Sequence, residues 1–138
     1  TVDNINLFGL WIKANVARGG LMSDILWKDC RISRTSGVIF MNLDYHSSQT
    51  NAAATPPEIC NMTFENIRGI GTNALGIRFD GLENSSIHDI VIRGCSFDAI
   101  SRETRAFAIN YGYNFDISDV QLPEGFTWEI SNASNINI

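Results

Sequence analysis

Apolar and polar residues alternate with period two along most of the chain, which predicts β-strands with one buried face. The alternation is organised in a returning unit: a polar residue, two alternating apolar positions, a two-residue break, then two more apolar positions. It occupies residues 24–32, 61–70, 89–97 and 114–122, and begins again at 135–138. The breaks fall on Lys28-Asp29, Glu65-Asn66, Arg93-Gly94 and Ser118-Asp119. Asp, Asn and Gly tolerate a left-handed backbone, so each break predicts a tight bend between two strands. A further alternating strand precedes each unit, at 9–13, 37–41, 76–80, 106–110 and 125–129.

Three short strands returning in the same order every ~20–40 residues predict a parallel β-helix. The expected fold is all-β, a solenoid of about four to five coils. A β-sandwich would need antiparallel hairpins, which this grammar does not supply. Aligning the preceding strands predicts inward columns of Leu10 and Ile12, Val38 and Phe40, Ile77 and Phe79, Phe107 and Ile109, Phe126 and Trp128. Outward columns are then Trp11, Ile39, Arg78, Ala108, Thr127 and Lys13, Met41, Asp80, Asn110, Glu129. Cys30 and Cys95 fall at equivalent inward positions two coils apart, too far for a disulfide. Asn61, Asn66, Asn114 and Asn135 are expected to hydrogen-bond at coil corners.

Composition alone would describe a chain of 138 residues, 44% hydrophobic and 18% charged, as one small acidic domain. The repeats change that: residues 1–138 are expected to be a single β-helix segment cut from a larger domain at both ends. The net charge of −5 argues against a nucleic-acid partner, which needs a basic face. No apolar run approaches the ~18 residues of a membrane span, so no membrane partner is expected. Three cysteines without metal-like spacing give no metal site. Sequons at Asn61, Asn84 and Asn132 are compatible with export, although no signal-peptide pattern is visible.

The series Asn4-Ile5-Asn6-Leu7-Phe8-Gly9-Leu10-Trp11-Ile12-Lys13, then Arg18-Gly19-Gly20 and Ser23-Asp24-Ile25, resembles the C-terminal half of glycoside hydrolase family 28. This is the polygalacturonase family of right-handed parallel β-helices. The stretch Val38 to Tyr45 resembles its strand ending in a substrate-side tyrosine. Thr55-Pro56-Pro57 followed by Asn61-Met62-Thr63-Phe64-Glu65-Asn66-Ile67 resembles its next coil. The likeness covers roughly residues 4–100. It implies inverting hydrolysis of glycosidic bonds in pectin-type polysaccharide, without a cofactor, by an extracellular enzyme. The family's arginine before Ile-Lys is replaced here by Trp11. Its catalytic aspartates and Gly-His-Gly motif precede that strand, so no catalytic residue is carried onto this chain. The remaining N-terminal coils are the expected partner that bears them, and the isolated chain is expected to be inactive.

Within the chain, the resemblance makes Lys13 the group that holds a uronate carboxylate, a task suited to a compact ammonium. Trp11, in the neighbouring outward column, offers a face for stacking on a sugar. Tyr45 matches the substrate-side tyrosine. Arg78 extends the positive groove or pairs with Asp80. Arg18 is a further loop cation within reach. His46 lacks a visible orienting partner for general-base work. Asp44 and Asp80 are the least implausible acid–base pair, and nothing in their spacing singles them out. His88 is expected to satisfy a turn. Residues 47–57 and 101–105 are expected to be loops inserted between coils, the first forming a groove wall. The alternative is a non-catalytic carbohydrate-binding or structural β-helix module.

Overall fold

Each alternating run becomes a strand and each break becomes a corner. The computed structural model describes residues 1–45, 55–71, 75–98 and 105–138. Among these are β1 (Val2–Asp3), β2 (Phe8–Lys13), β3 (Leu21–Met22), β4 (Ile25–Ser33), β5 (Gly37–Asn42), β6 (Glu58–Ile70), β7 (Leu75–Asp80), β8 (Ile87–Arg93), β9 (Ser96–Asp98), β10 (Phe107–Ser118) and β11 (Glu129–Asn137). All the strands pair in parallel, coil upon coil. The architecture is therefore a partial parallel β-helix.

The bends lie where the sequence puts them. Asp29, Asn66, Gly94 and Asp119 have φ of 55°, 53°, 60° and 52°. A second set precedes them: Asp24, Asn61, Asp89, Asn114 and Asn135 have φ of 60°, 52°, 55°, 56° and 52°. This second corner corrects the expected three-strand coil. The polar residue opening each unit is itself a bend, so the residues before it form a fourth, very short side. That side stacks β3 on the start of β6, then the start of β8 and the middle of β10.

The corners are tied to one another. Asn66 Nδ2 donates to Asp29 Oδ1 at 2.6 Å, Asn114 Nδ2 to Asp89 Oδ1 at 3.0 Å and Asn135 Nδ2 to Asn114 Oδ1 at 2.6 Å. Asn61 donates likewise to Asp24. All four predicted corner asparagines thus bond as expected.

Inside, side chains stack in columns. Ile12, Met41, Phe79 and Ile109 are register partners on the first face, and Met62, Ile90 and Phe115 on the third. Phe64 and Phe79 meet across the core at 6.0 Å, and Phe79 meets Phe115 at 5.3 Å. Cys30 lies opposite Ile67, and Cys95 one coil further on; all three cysteines are free thiols.

Two register expectations fail. Trp11 pairs with Phe40 and Lys13 with Asn42, so Ile39 and Met41 point inward, while Phe40 lies outward beside Trp11. The reason is steric. Gly37 sits opposite Phe8 and Leu75, where a Cβ would come within 2.7 Å of the Phe8 ring and 2.8 Å of Leu75 Cβ. Gly37 therefore aligns with Phe8 and not with Gly9. The uniformly apolar run Val38-Ile39-Phe40-Met41 cannot resist a one-residue slip by pattern. The last strand also moves: β11 starts at Glu129, opposite Ala108. Phe126 and Trp128 precede it in a turn closed by Phe126 N–H donating to Pro123 O, and cap the core edge-on against Phe107 at 5.7 and 5.9 Å.

Phe64 is fully buried and Leu26, one residue before Trp27 on β4, is 58% exposed. Phe64→Ala is expected to cost about 3–5 kcal/mol, and Leu26→Ala less than about 0.5 kcal/mol, read as shifts of the urea midpoint. Acid should also loosen the coil stack. Lys28 and then Arg93 hold the Glu65 carboxyl below its usual range; Asn114 and then His88 do so for Asp89. A lowered folded pKa gives stability that is present above the unfolded value and lost as pH falls through the folded one. The melting temperature is expected to hold from neutrality to about pH 5 and to fall below about pH 4.

Candidate functional site

The strand β2 delivers Trp11 and Lys13 to the outer side of the first face, two residues apart and therefore side by side. Tyr45 comes to them from beyond β5. The Lys13 ammonium lies 4.5 Å from the Trp11 ring centre and 4.2 Å from that of Tyr45. The two rings meet edge to face at 5.5 Å. The cation is thus seated in an aromatic corner, each contact contributing roughly 0.5–1 kcal/mol at an exposed site. Trp11 is backed in turn by Phe40, stacked at 6.2 Å, and by Phe8, edge-on at 5.2 Å. Its buried Nε1 finds no acceptor among the described residues.

A polar clasp holds Tyr45 in place. Its N–H donates to Ala14 O at 2.9 Å, and its carbonyl accepts Asn15 Nδ2 at 2.6 Å. Asn15 Oδ1 accepts the Ala17 N–H at 2.7 Å, and its carbonyl accepts that of Arg18 at 3.0 Å. The turn continues through Gly19 and Gly20, with φ of 62° and 98°. These contacts enclose a cavity of about 480 Å³ whose walls include Lys13, Asn15, Arg18, Leu21, Met22 and Tyr45. Among the described residues, two cations and no carboxylate line it, in a chain whose net charge is −5.

Of the sequence candidates, Lys13, Trp11 and Tyr45 form this one cluster, and Arg18 shares the cavity. Arg78 does not join it. It lies beyond Phe40, 5.6 Å from that ring, and donates Nε to Asp80 at 2.6 Å. Arg105 takes the other Asp80 oxygen at 2.7 Å. Both oxygens of Asp80 are therefore engaged by guanidinium groups. Asn42, not Met41, stands between Lys13 and Asp80. The Asp44 N–H closes on Asn42 Oδ1 at 2.6 Å, a turn contact. His46, like residues 47–54 and 101–104 of the two expected insertions, lies outside the described residues. His88 does hold a turn residue, with Nδ1 at 2.7 Å from Asp89, but Nε2 also reaches Glu58 at 3.1 Å on the neighbouring coil.

Sequence reasoning missed Asn15 and Phe40. The Asn two residues after Lys13, just before a Gly-Gly turn, was a visible signal for a clasp. Phe40 was hidden by the register slip.

Residues 1–122 match the family model described as Glycosyl hydrolases family 28. No curated protein and no solved structure matches the chain.

Asn15 is 8% exposed and its side chain joins two segments. Asn15→Ala is expected to cost about 1–3 kcal/mol, the penalty for unmaking buried hydrogen bonds. It should also flatten the near-ultraviolet circular dichroism of the Trp11–Tyr45 pair. A variant with unchanged stability and spectrum would show that the clasp does not hold the site.

Proposed function

Since the chain belongs to glycosyl hydrolases family 28, we propose that it is the C-terminal portion of a polygalacturonase-like hydrolase acting on pectin-type polysaccharide, and that it supplies part of the substrate groove. One observation carries the reading: a cavity of about 480 Å³ lined by Lys13 and Arg18 with no carboxylate among the described residues, on the outside of an otherwise acidic solenoid. Such a cavity suits an anionic sugar. A uronate carboxylate there meets a compact ammonium and a guanidinium fork.

In this reading Lys13 takes the carboxylate. Trp11 and Tyr45 aim its ammonium, because the aromatic corner restricts a side chain that would otherwise sample many rotamers. Tyr45 adds its hydroxyl as a donor to a sugar oxygen. Arg78 contributes only the edge of the positive field, being bound to Asp80. Acid and base come from coils outside this chain, and the glycosidic bond is hydrolysed by water with inversion, as the family resemblance implies. No cofactor enters the reading. It places the protein outside the cell, in contact with cell-wall pectin. Asn84, an exposed sequon, is the favoured glycosylation site, since the amides of Asn61 and Asn132 donate within the corner ladders.

The test is calorimetric titration with oligogalacturonate. Lys13→Ala should weaken binding by about tenfold or more, the worth of one hydrogen bond to a charged group. A neutral galactan oligomer should be insensitive to the change. Trp11→Arg should favour the uronate ligand. The 138-residue chain alone should hydrolyse no polygalacturonate. Unchanged affinity in Lys13→Ala would remove that residue from the site, and turnover by the pure chain would place acid and base within it.

A further inference from the structure

On the short fourth side of the coil, three potential metal ligands converge. Glu58 and Cys60 lie two residues apart on β6 and so share one face of the strand. His88 on β8 is the register partner of Cys60. The carboxylate, thiol and imidazole atoms all lie within 4.8 Å of one another.

The imidazole is fixed from three directions. Nδ1 donates to Asp89 Oδ2 at 2.7 Å, and Asp89 Oδ1 accepts from Asn114 at 3.0 Å. Tyr113 stacks on the ring at 4.5 Å, nearly parallel. With its Nδ1 proton directed at Asp89, a neutral imidazole presents the Nε2 lone pair to Glu58 Oε1 at 3.1 Å. Two acceptors then face each other, an arrangement that calls for a cation between or beside them. A second proton on the ring supplies one. A metal ion supplies one that also satisfies the Cys60 sulfur.

We propose that Glu58, Cys60 and His88 form a binding site for a divalent transition-metal ion, with Zn²⁺ the best match. The set mixes sulfur, nitrogen and oxygen, as Zn²⁺ accepts at bond lengths of ~2.0–2.3 Å, whereas Mg²⁺ and Ca²⁺ demand oxygen. Asp89 plays the orienting part that carboxylates play behind metal-bound histidines. Three protein ligands leave the fourth position open. Glu58 and His88 also border a cavity of about 400 Å³, shared with Glu83, Ser85 and Tyr113, with room for water or a ligand. Cys60 and His88 belong to successive coils, so the ion cross-links them. The site also adjoins the Lys13 cavity: Leu21, in its wall, is the register partner of Glu58. The inference does not rest on the proposed polysaccharide substrate.

The experiment is titration of the full chain, freed of metal, with Co²⁺ as a spectroscopic probe and with Zn²⁺. One equivalent of Co²⁺ should bind and produce a thiolate-to-cobalt charge-transfer band. Saturating Zn²⁺ should raise the melting temperature by about 5 °C or more; Mg²⁺ should not. Cys60→Ser should abolish the band, and Glu58→Gln and His88→Gln should weaken affinity at least tenfold. Cys30→Ser, altering a thiol on another side of the coil, should leave band and affinity unchanged. Asp89→Asn should keep the band but weaken affinity roughly tenfold. Should Cys60→Ser fail to fold, the shift of the His88 imidazole resonances on Zn²⁺ addition to the unaltered chain decides instead. The proposal is overturned if no charge-transfer band forms, if the band survives Cys60→Ser, if Cys30→Ser removes it, or if the His88 resonances do not move.

Discussion

A parallel β-helix depends on turning an extended chain sharply at fixed intervals without leaving polar backbone groups unpaired. Here the turning is done by single residues in left-handed conformation. Most L-residues pay roughly 1–2 kcal/mol for that backbone, and Asn, Asp and Gly pay least. Asp24, Asp29, Asn61, Asn66, Asp89, Gly94, Asn114 and Asp119 all occupy such corners. Because a single residue bends the chain, the strands on either side keep their pairing with the coils above and below. The side chains of the corner residues then bond to each other from coil to coil. The apolar columns follow, since identical bends place identical positions inward in every coil.

The candidate site rests on this frame. Fixing β2 against β5 places Phe40 behind Trp11, and Trp11 with Tyr45 under the Lys13 ammonium. A one-residue shift of β5 would put Ile39 in the place of Phe40 and remove the stacked support. The same holds on the fourth side, where the pairing of Cys60 with His88 decides that sulfur and imidazole meet. Chemistry on this protein is assembled from residues far apart in sequence and adjacent in register.

This explains what was legible in advance. The corners could be read because few residue types tolerate a left-handed backbone, and the strands because polar and apolar residues alternate around them. The β5 register could not, because four consecutive apolar residues carry no facing information and a steric contact at Gly37 decides the outcome. The fourth side was too short, at two or three residues, to show any alternation. Lys13, Trp11 and Tyr45 were legible through a run of motif residues. The Glu58–Cys60–His88 cluster was not, because His88 lies a coil away from Glu58 and Cys60 and the three match no compact metal-binding spacing.

The corner ladder carries one further consequence. Along one edge the column reads Asp24, Asn61, Asp89, Asn114, Asn135, and the recorded bonds run from an asparagine amide to an oxygen of the coil before it. An aspartate can accept at such a step but cannot donate. If the chain skipped a coil during assembly, Asp24 would face Asp89, and two carboxylates would meet with no proton to share. At that step the column therefore favours the coil that comes next in the chain over the one after it.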